Sequence, residues 1–196
     1  SVVVIDSGGA NLASLCHALA RLGVSASVSR DPAVIAAAPR VLLPGVGAAA
    51  EAMSRLASFG LVETIRRLEV PLLGICLGMQ LLFEHSAEGD TPCLGLLPGR
   101  VERLPASPEL PAPHMGWNTV ETNSDSFLFK GIETESFYFV HSYAAKVAVG
   151  KTQAWSTHGE KFLAAVEDGY ISATQFHPEK SGAAGLALIK NWVGSL

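Results

Sequence analysis

The sequence predicts an α/β fold in one domain, residues 1–196, with a mostly parallel central sheet flanked by helices and an antiparallel extension toward the C-terminus. Three observations carry this expectation. Short apolar runs alternate with helical patterns in the first half, as in sheets whose strands are joined by crossover helices. Strand-like segments separated by turn residues then crowd the second half. Finally, 196 residues at 48% hydrophobic content supply enough apolar mass for a large core without disulfide staples.

Residues 2–6, apolar through Ile5 and closed by Asp6, run into Ser7, Gly8 and Gly9, the pattern of a strand buried on both faces. Leu12, Leu15, Cys16, Leu19 and Leu22 recur at helical spacing, with Asn11 able to cap that helix and Gly23 able to end it. Residues 24–28 and 41–43 read as the next strands, and Asp31-Pro32 as the cap and first turn of a short helix between them. Helical patterns cover residues 49–58 and 61–68. A fourth strand spans 70–75, and a helix follows from about Leu77. Later strands are expected at 99–104, 116–121, 136–143, 152–157, 162–167 and 170–176, with Asp168-Gly169 as a two-residue hairpin turn. Residues 105–113 are proline-rich and predict an exposed loop. Residues 182–193 predict a last helix with Leu186, Ile189 and Val193 on its apolar face.

Composition removes several functional classes. Lys and Arg total 14 against 18 Asp and Glu, a net charge of −4, whereas a phosphate backbone calls for clustered cations. No nucleic-acid partner is expected. No apolar run approaches the ~18 residues of a membrane span, and the N-terminal segment lacks a basic leader. Cysteines at 16, 76 and 93 form neither a CxxC pair nor a disulfide framework. The chain reads as cytoplasmic, with no membrane association, metal or cofactor.

Cys76 carries the strongest chemical signal. In Gly74-Ile75-Cys76-Leu77-Gly78 a buried strand meets a helix through a residue flanked by glycines, the mechanics of a nucleophile elbow with cysteine in place of serine. Such a turn thrusts the sulfur over the carboxyl end of the sheet, where a helix N-terminus favours the thiolate. A buried structural cysteine would fit the position too. That bland reading suits Cys16, on a helical apolar face, and Cys93, in a loop with no evident activator.

A nucleophilic sulfur needs a base. His177 ends a strand at Thr174-Gln175-Phe176, Pro178 stiffens the link, and Glu179 can fold back to orient the imidazole. By itself, His-Pro-Glu also fits a strand-end histidine beside a solvated carboxylate. Pro44-Gly45-Val46-Gly47 follows a buried strand and can turn amides toward an oxyanion, with the Leu77 amide as second donor; an ordinary strand-to-helix turn would read the same. His114-Met115-Gly116-Trp117-Asn118 and the run from Phe137 to Tyr143 concentrate aromatic and histidine side chains, and packed strands would explain them as well.

Together these runs resemble the class I (triad) glutamine amidotransferases over essentially the whole chain. Pro44-Gly45-Val46-Gly47, the His114–Asn118 segment, the run from Tyr138 to Tyr143 and Gln175-Phe176-His177-Pro178-Glu179-Lys180-Ser181-Gly182 narrow the resemblance to the glutaminase subunits of imidazole glycerol phosphate synthase. The resemblance implies Cys76, His177 and Glu179 as the catalytic triad and the Val46 and Leu77 amides as oxyanion donors. It implies Gly47, Gln80, Glu88, His141, Ser142 and Tyr143 as the lining of an L-glutamine pocket. It also implies a separate (β/α)8 cyclase subunit as heterodimer partner and ammonia acceptor, contacted by Asn11, Met115, Trp117 and Tyr138. Other glutaminases of the superfamily, a Cys/His hydrolase or peptidase, and a non-catalytic regulatory subunit are the competing readings.

Overall fold

The computed structural model describes residues 1–8, 11–123 and 125–195. Its first half runs β1 (Val2–Ile5), α1 (Ala13–Arg21), β2 (Ala26–Ser29), α2 (Pro32–Ala36), β3 (Val41–Gly45), α3 (Ala49–Ser58), α4 (Val62–Arg66), β4 (Leu72–Cys76) and α5 (Leu77–Leu81). Strands β1, β3 and β4 are buried along their whole length, which is why each reads as an unbroken apolar run. Asp31 caps α2 as the sequence predicts, its Oδ1 accepting from the Ala33 amide, whereas the N-cap of α1 is Leu12 and Asn11, one residue earlier, accepts from the Ala13 amide through Oδ1.

The second half contains β5 (Phe83–Ser86), β6 (Thr91–Pro92), β7 (Leu97–Arg103), β8 (His114–Thr119), β9 (Ser136–His141), β10 (Tyr143–Ala145), β11 (Thr152–His158), β12 (Glu160–Asp168), β13 (Ile171–Thr174) and α6 (Gly182–Val193). Seven strands build the central sheet in the order β11-β12-β13-β4-β3-β1-β2. From β13 to β2 neighbouring strands are parallel; β11 and β12 add the antiparallel extension.

Alternate side chains of the parallel strands point to opposite faces. Val3, Ile5, Val41 and Leu43 pack with Ile35, Leu56 and Ile65 of α2, α3 and α4. Val2, Val4, Leu42 and Leu73 pack with Leu15 and Leu19 of α1 and with Leu188, Ile189 and Trp192 of α6. The result is three layers, helices on both faces of one sheet. Each fully buried Leu or Ile contributes about 1.5–3 kcal/mol relative to exposure.

Several details differ from expectation. The helix after Cys76 is only five residues long and gives way to β5 and β6. Strand β7 does not extend the central sheet; with β5, β6 and β10 it forms a second, four-stranded sheet, and β8 and β9 form a separate two-stranded ribbon. The predicted strand at 136–143 divides at Ser142, where the chain leaves the ribbon for the second sheet, and the Ser142 carbonyl accepts from the Leu104 amide. Asp168 pairs with Ile171, so the hairpin turn is Gly169-Tyr170, with Gly169 at φ +59° in the first central place. On α6 the buried stripe is Gly185, Leu188, Ile189 and Trp192, while Leu186 and Val193 lie half-buried at its margins. Cys93 is buried in the core, and burial pushes its thiol up to about 11.

Candidate active site

Three chain segments leave the carboxyl ends of adjacent parallel strands. Gly45 of β3 is in register with Cys76 of β4, and Ile75 with Thr174 of β13. The turn Pro44–Gly47, the elbow at Cys76 and the segment carrying His177 and Glu179 are thus neighbours by strand order alone. Close packing of α5 on β3 makes this possible, since a Cβ on Gly78 would lie 1.9 Å from the Leu43 carbonyl oxygen. Cys76 itself has φ +55° and ψ −112°, a backbone state that side chains rarely adopt and that active-site turns impose.

His177 and Glu179 are both buried, with Nδ1 and Oε1 3.0 Å apart. Pro178–Lys180 forms a 3-10 turn, and this bend folds the carboxylate back onto the ring. The His177 amide donates to the Tyr138 carbonyl at 2.9 Å, and Ser181 Oγ donates to the His177 carbonyl at 2.6 Å. Nε2 is buried with no hydrogen-bond partner, and the ring interacts electrostatically with Cys76. Burial disfavours the imidazolium, but Cys76 and Glu179 on either side outweigh it and push the His177 pKa up to about 10. With α5 so short, this imidazolium rather than a helix dipole is the main positive charge beside the sulfur.

These groups open on a cavity of about 330 Å³. Its wall includes Val46, Gly47, Cys76, Leu77, Gln80, Glu88, His141, Ser142, Tyr143 and His177, so the sequence-predicted residues of the nucleophile, base, oxyanion turn and pocket meet in one place. Glu179 lies behind His177, away from the cavity. Val46 is 37% exposed and Gly47 has φ +95°. Glu88 Oε1 accepts from the Ala49 amide at the start of α3, which ties the exit of that turn to the rim of the cavity. His141 Nδ1 donates to the Tyr143 carbonyl at 2.9 Å, and its Nε2 accepts from His114 Nδ1 at 2.9 Å. Both ring nitrogens of His141 are therefore committed, and the ring shapes the wall without offering a polar atom.

Met115 and Trp117 are 63% and 59% exposed, on one face of the β8–β9 ribbon. Tyr138 pairs with Trp117 on that face, their ring centroids 6.2 Å apart. Val140, next along it, lines the cavity, and its carbonyl oxygen is 3.7 Å from Cys76 Sγ. Asn11 stands at a small cleft bordered by Val46, Glu179 and Lys180.

Sequence reasoning assigned no role to Val140, Lys180, His114 or Gln175. Lys180 lines the cavity, His114 holds His141, and Gln175 Nε2 lies 3.7 Å from the sulfur. Period-two alternation at a strand end puts Gln175 on the side of His177 and could have flagged it. Among the described residues no group of three His, Cys, Asp or Glu side chains is arranged to hold a metal ion. Nor is any helix among them long and apolar enough to cross a membrane.

Known proteins share both sequence and fold with this chain. The sequence pattern of the family described as "Glutamine amidotransferase class-I" matches residues 3–194. The imidazole glycerol phosphate synthase subunit HisH of Xanthomonas axonopodis pv. citri (strain 306) is 54% identical over 193 residues, covering 98% of this chain and 96% of that protein. The protein of the same name from Xylella fastidiosa (strain 9a5c) is 50% identical with the same coverage. A crystal structure of a glutamine amidotransferase superposes with a TM-score of 0.72 at 19% identity, covering 98% of this chain and 97% of that one, which establishes likeness of fold. By sequence pattern, near-full-length relatives and fold, the chain belongs to the class-I glutamine amidotransferase family.

Proposed function

We propose that this chain is the glutaminase subunit of an imidazole glycerol phosphate synthase of histidine biosynthesis. It hydrolyses L-glutamine to glutamate and ammonia and passes the ammonia to a separate cyclase subunit. The observation that carries this reading is the meeting of Cys76, His177 and Glu179 around one cavity at the carboxyl ends of three adjacent strands.

Cys76 attacks the side-chain amide carbon of glutamine, and the Val46 and Leu77 amides receive the developing oxyanion. His177 delivers its proton to the departing ammonia, then takes one from the water that opens the thioester. Glu179 keeps the imidazole oriented and supports its charge. Gly47, Gln80, Glu88, His141, Ser142 and Tyr143 enclose the substrate. The exposed apolar face of the ribbon supports docking of the (β/α)8 cyclase as a heterodimer, with Met115, Trp117 and Tyr138 in contact and Asn11 at the flank. Val140 joins that face to the cavity, which suits short-range transfer of ammonia. A sheltered route matters because free ammonia is protonated in neutral water and loses its nucleophilicity. In the cyclase it would yield imidazole glycerol phosphate and an aminoimidazole carboxamide ribonucleotide. The cytoplasm suits such chemistry, and no cofactor is required of this chain.

The test is glutamate release by the chain alone, with the cyclase subunit, and with the cyclase plus its nucleotide ligand. Release is expected to be low alone and to rise at each addition, and Cys76→Ala is expected to abolish it. No release under any of these conditions would overturn the glutaminase reading. A full rate from the isolated chain would overturn gating by the partner.

A further inference from the structure

The Tyr143 carbonyl oxygen can only accept hydrogen bonds. Two side chains reach it, His141 Nδ1 at 2.9 Å and Gln80 Nε2 at 2.9 Å. That one acceptor fixes the polarity of what is joined to it. Gln80 must present its NH2 group there, and the other hydrogen of that group goes to Gln175 Oε1 at 3.1 Å. With its oxygen so engaged, Gln175 points its own NH2 group the other way, and that nitrogen lies 3.7 Å from Cys76 Sγ. Turning the Gln175 amide over would set NH2 against NH2 at Gln80 and oxygen against sulfur at Cys76. Gln175 is completely buried, and Gln80 is buried at the wall of the cavity.

The sulfur therefore has a donor in Gln175 and an acceptor in the Val140 carbonyl, each at 3.7 Å. A thiol can donate S–H to Val140, whereas a thiolate can only accept. We propose that Gln175 is a catalytic residue whose Nε2–H donates to the Cys76 thiolate, and that Gln80, anchored on the Tyr143 carbonyl, positions it. The proposal rests on the reading of Cys76 as the nucleophile.

The donor acts in both half-reactions. In the first, the thiolate bonds to the amide carbon, the carbonyl electron pair moves onto oxygen, and collapse expels ammonia with the proton of His177. In the second, His177 takes a proton from water, the hydroxide oxygen bonds to the thioester carbon, the C–S bond breaks, and its electron pair returns to sulfur. Gln175 keeps its own protons throughout. It stabilises the sulfur anion before attack and again as a leaving group. Around the cavity the other titratable groups are His177 with Glu179 behind it, His141, Tyr143, Lys180 and Glu88, and substitution at 175 leaves all of them in place.

The experiment is the pH profile of Cys76 alkylation by iodoacetamide, which needs no glutamine and so gives a result separate from the glutamate assay. Gln175→Glu keeps the shape and the oxygen facing Gln80 but replaces the donor; Gln175→Leu removes both amide atoms. In Gln175→Leu the pH of half-maximal labelling is expected to rise by about one to two pH units, the size expected for losing a hydrogen bond to a charged group, and in Gln175→Glu at least as far, because the new carboxylate also repels the thiolate. With glutamine, kcat falls about 10–100-fold, as for a lost transition-state contact, while KM changes about twofold at most. An unchanged labelling profile in either folded variant would overturn the proposal. Should neither variant fold, nitrogen-15 NMR of the unsubstituted chain decides. The Gln175 side-chain amide resonance is expected to move when Cys76 is deprotonated or alkylated, and a resonance that stays fixed overturns the assignment.

Discussion

Cys76 stands in a backbone state, φ +55° and ψ −112°, that costs an L-residue about 1–3 kcal/mol. The surrounding sheet and α5 hold it there, and Cys76 lines the same cavity as His177. The strain is testable because it belongs to Cβ and not to sulfur. Cys76→Ala and Cys76→Gly remove the same thiol, but only glycine removes the carbon that makes the turn costly. Elsewhere glycine is the less stable of the two by about 0.5–1 kcal/mol through backbone entropy. At position 76 the order is expected to reverse, with the glycine variant more stable by about 1–2 kcal/mol, or about 2–8 °C in thermal midpoint. An alanine variant that melts higher would show that no strain is held at the elbow. At this scale the proposed triad was legible because each of its members announces itself locally: glycines around Cys76, a proline after His177, a carboxylate two residues on. Gln175 was not, because its orientation is dictated through Gln80, 95 residues away, by a carbonyl that no sequence pattern marks.

Elements buried on both faces betray themselves, and marginal ones do not. Strands β1, β3 and β4 are continuous apolar runs because helices cover both sides of the sheet, so their existence could be read directly. Strands β5 and β6 have four and two residues. The run Leu81-Leu82-Phe83 looks like a continuing helix, and its pairing with β7 depends on contacts the local sequence cannot express. The strands of the β8–β9 ribbon were expected from the sequence, but their pairing apart from the central sheet and the corner at Ser142 depend on contacts of the same kind. Glycines carry a second kind of information at this scale, since two of them fix how elements touch. On Gly78 a Cβ would meet the Leu43 carbonyl, and on Gly185 it would lie 1.8 Å from the carbonyl oxygen of Pro178. Gly185 is inside α6, where alanine ordinarily stabilises by about 1 kcal/mol. Here Gly185→Ala is expected to destabilise by about 1–3 kcal/mol, as an overpacked core does. It must push away the 3-10 turn that carries Glu179, so glutamate release by the complex is expected to fall along with the thermal midpoint. A variant that melts at or above the parent would disprove the tight seating of α6 on this turn.

Taken as a whole, the molecule carries buried histidines whose responses to pH have opposite sign. Burial, with repulsion from His158, pushes His114 down to about 4. Burial also pushes His141 down to about 3, against the Tyr143 carbonyl and with repulsion from His114, His158 and His177. Both stay neutral in the folded chain while their unfolded counterparts take up protons below about 6.5. Their contribution is therefore present above that pH and is lost as pH falls toward 4 and 3. His177 behaves the other way. Its raised folded value, about 10, means that stability is fully present below about 6.5 and is lost as pH climbs through 10. Glu167, raised by burial against the hydrogen bonds from Ser126 and the Phe127 amide, offsets part of the acid loss, because its folded form binds a proton more readily than the unfolded one. The two limbs meet near neutral pH, where thermal stability is expected to peak. For His141 alone, a drop from pH 6.5 to 4.5 corresponds to about 2–3 kcal/mol, or about 4–12 °C. Thermal midpoints between pH 4.5 and 9.5 measure both limbs. His141→Gln is expected to flatten the acid limb and His177→Asn the alkaline one. If the midpoint is level from pH 6.5 to 4.5 in the unsubstituted chain, His114 and His141 are not held neutral, and the hydrogen-bonded pair that supports the wall of the cavity is not formed as described.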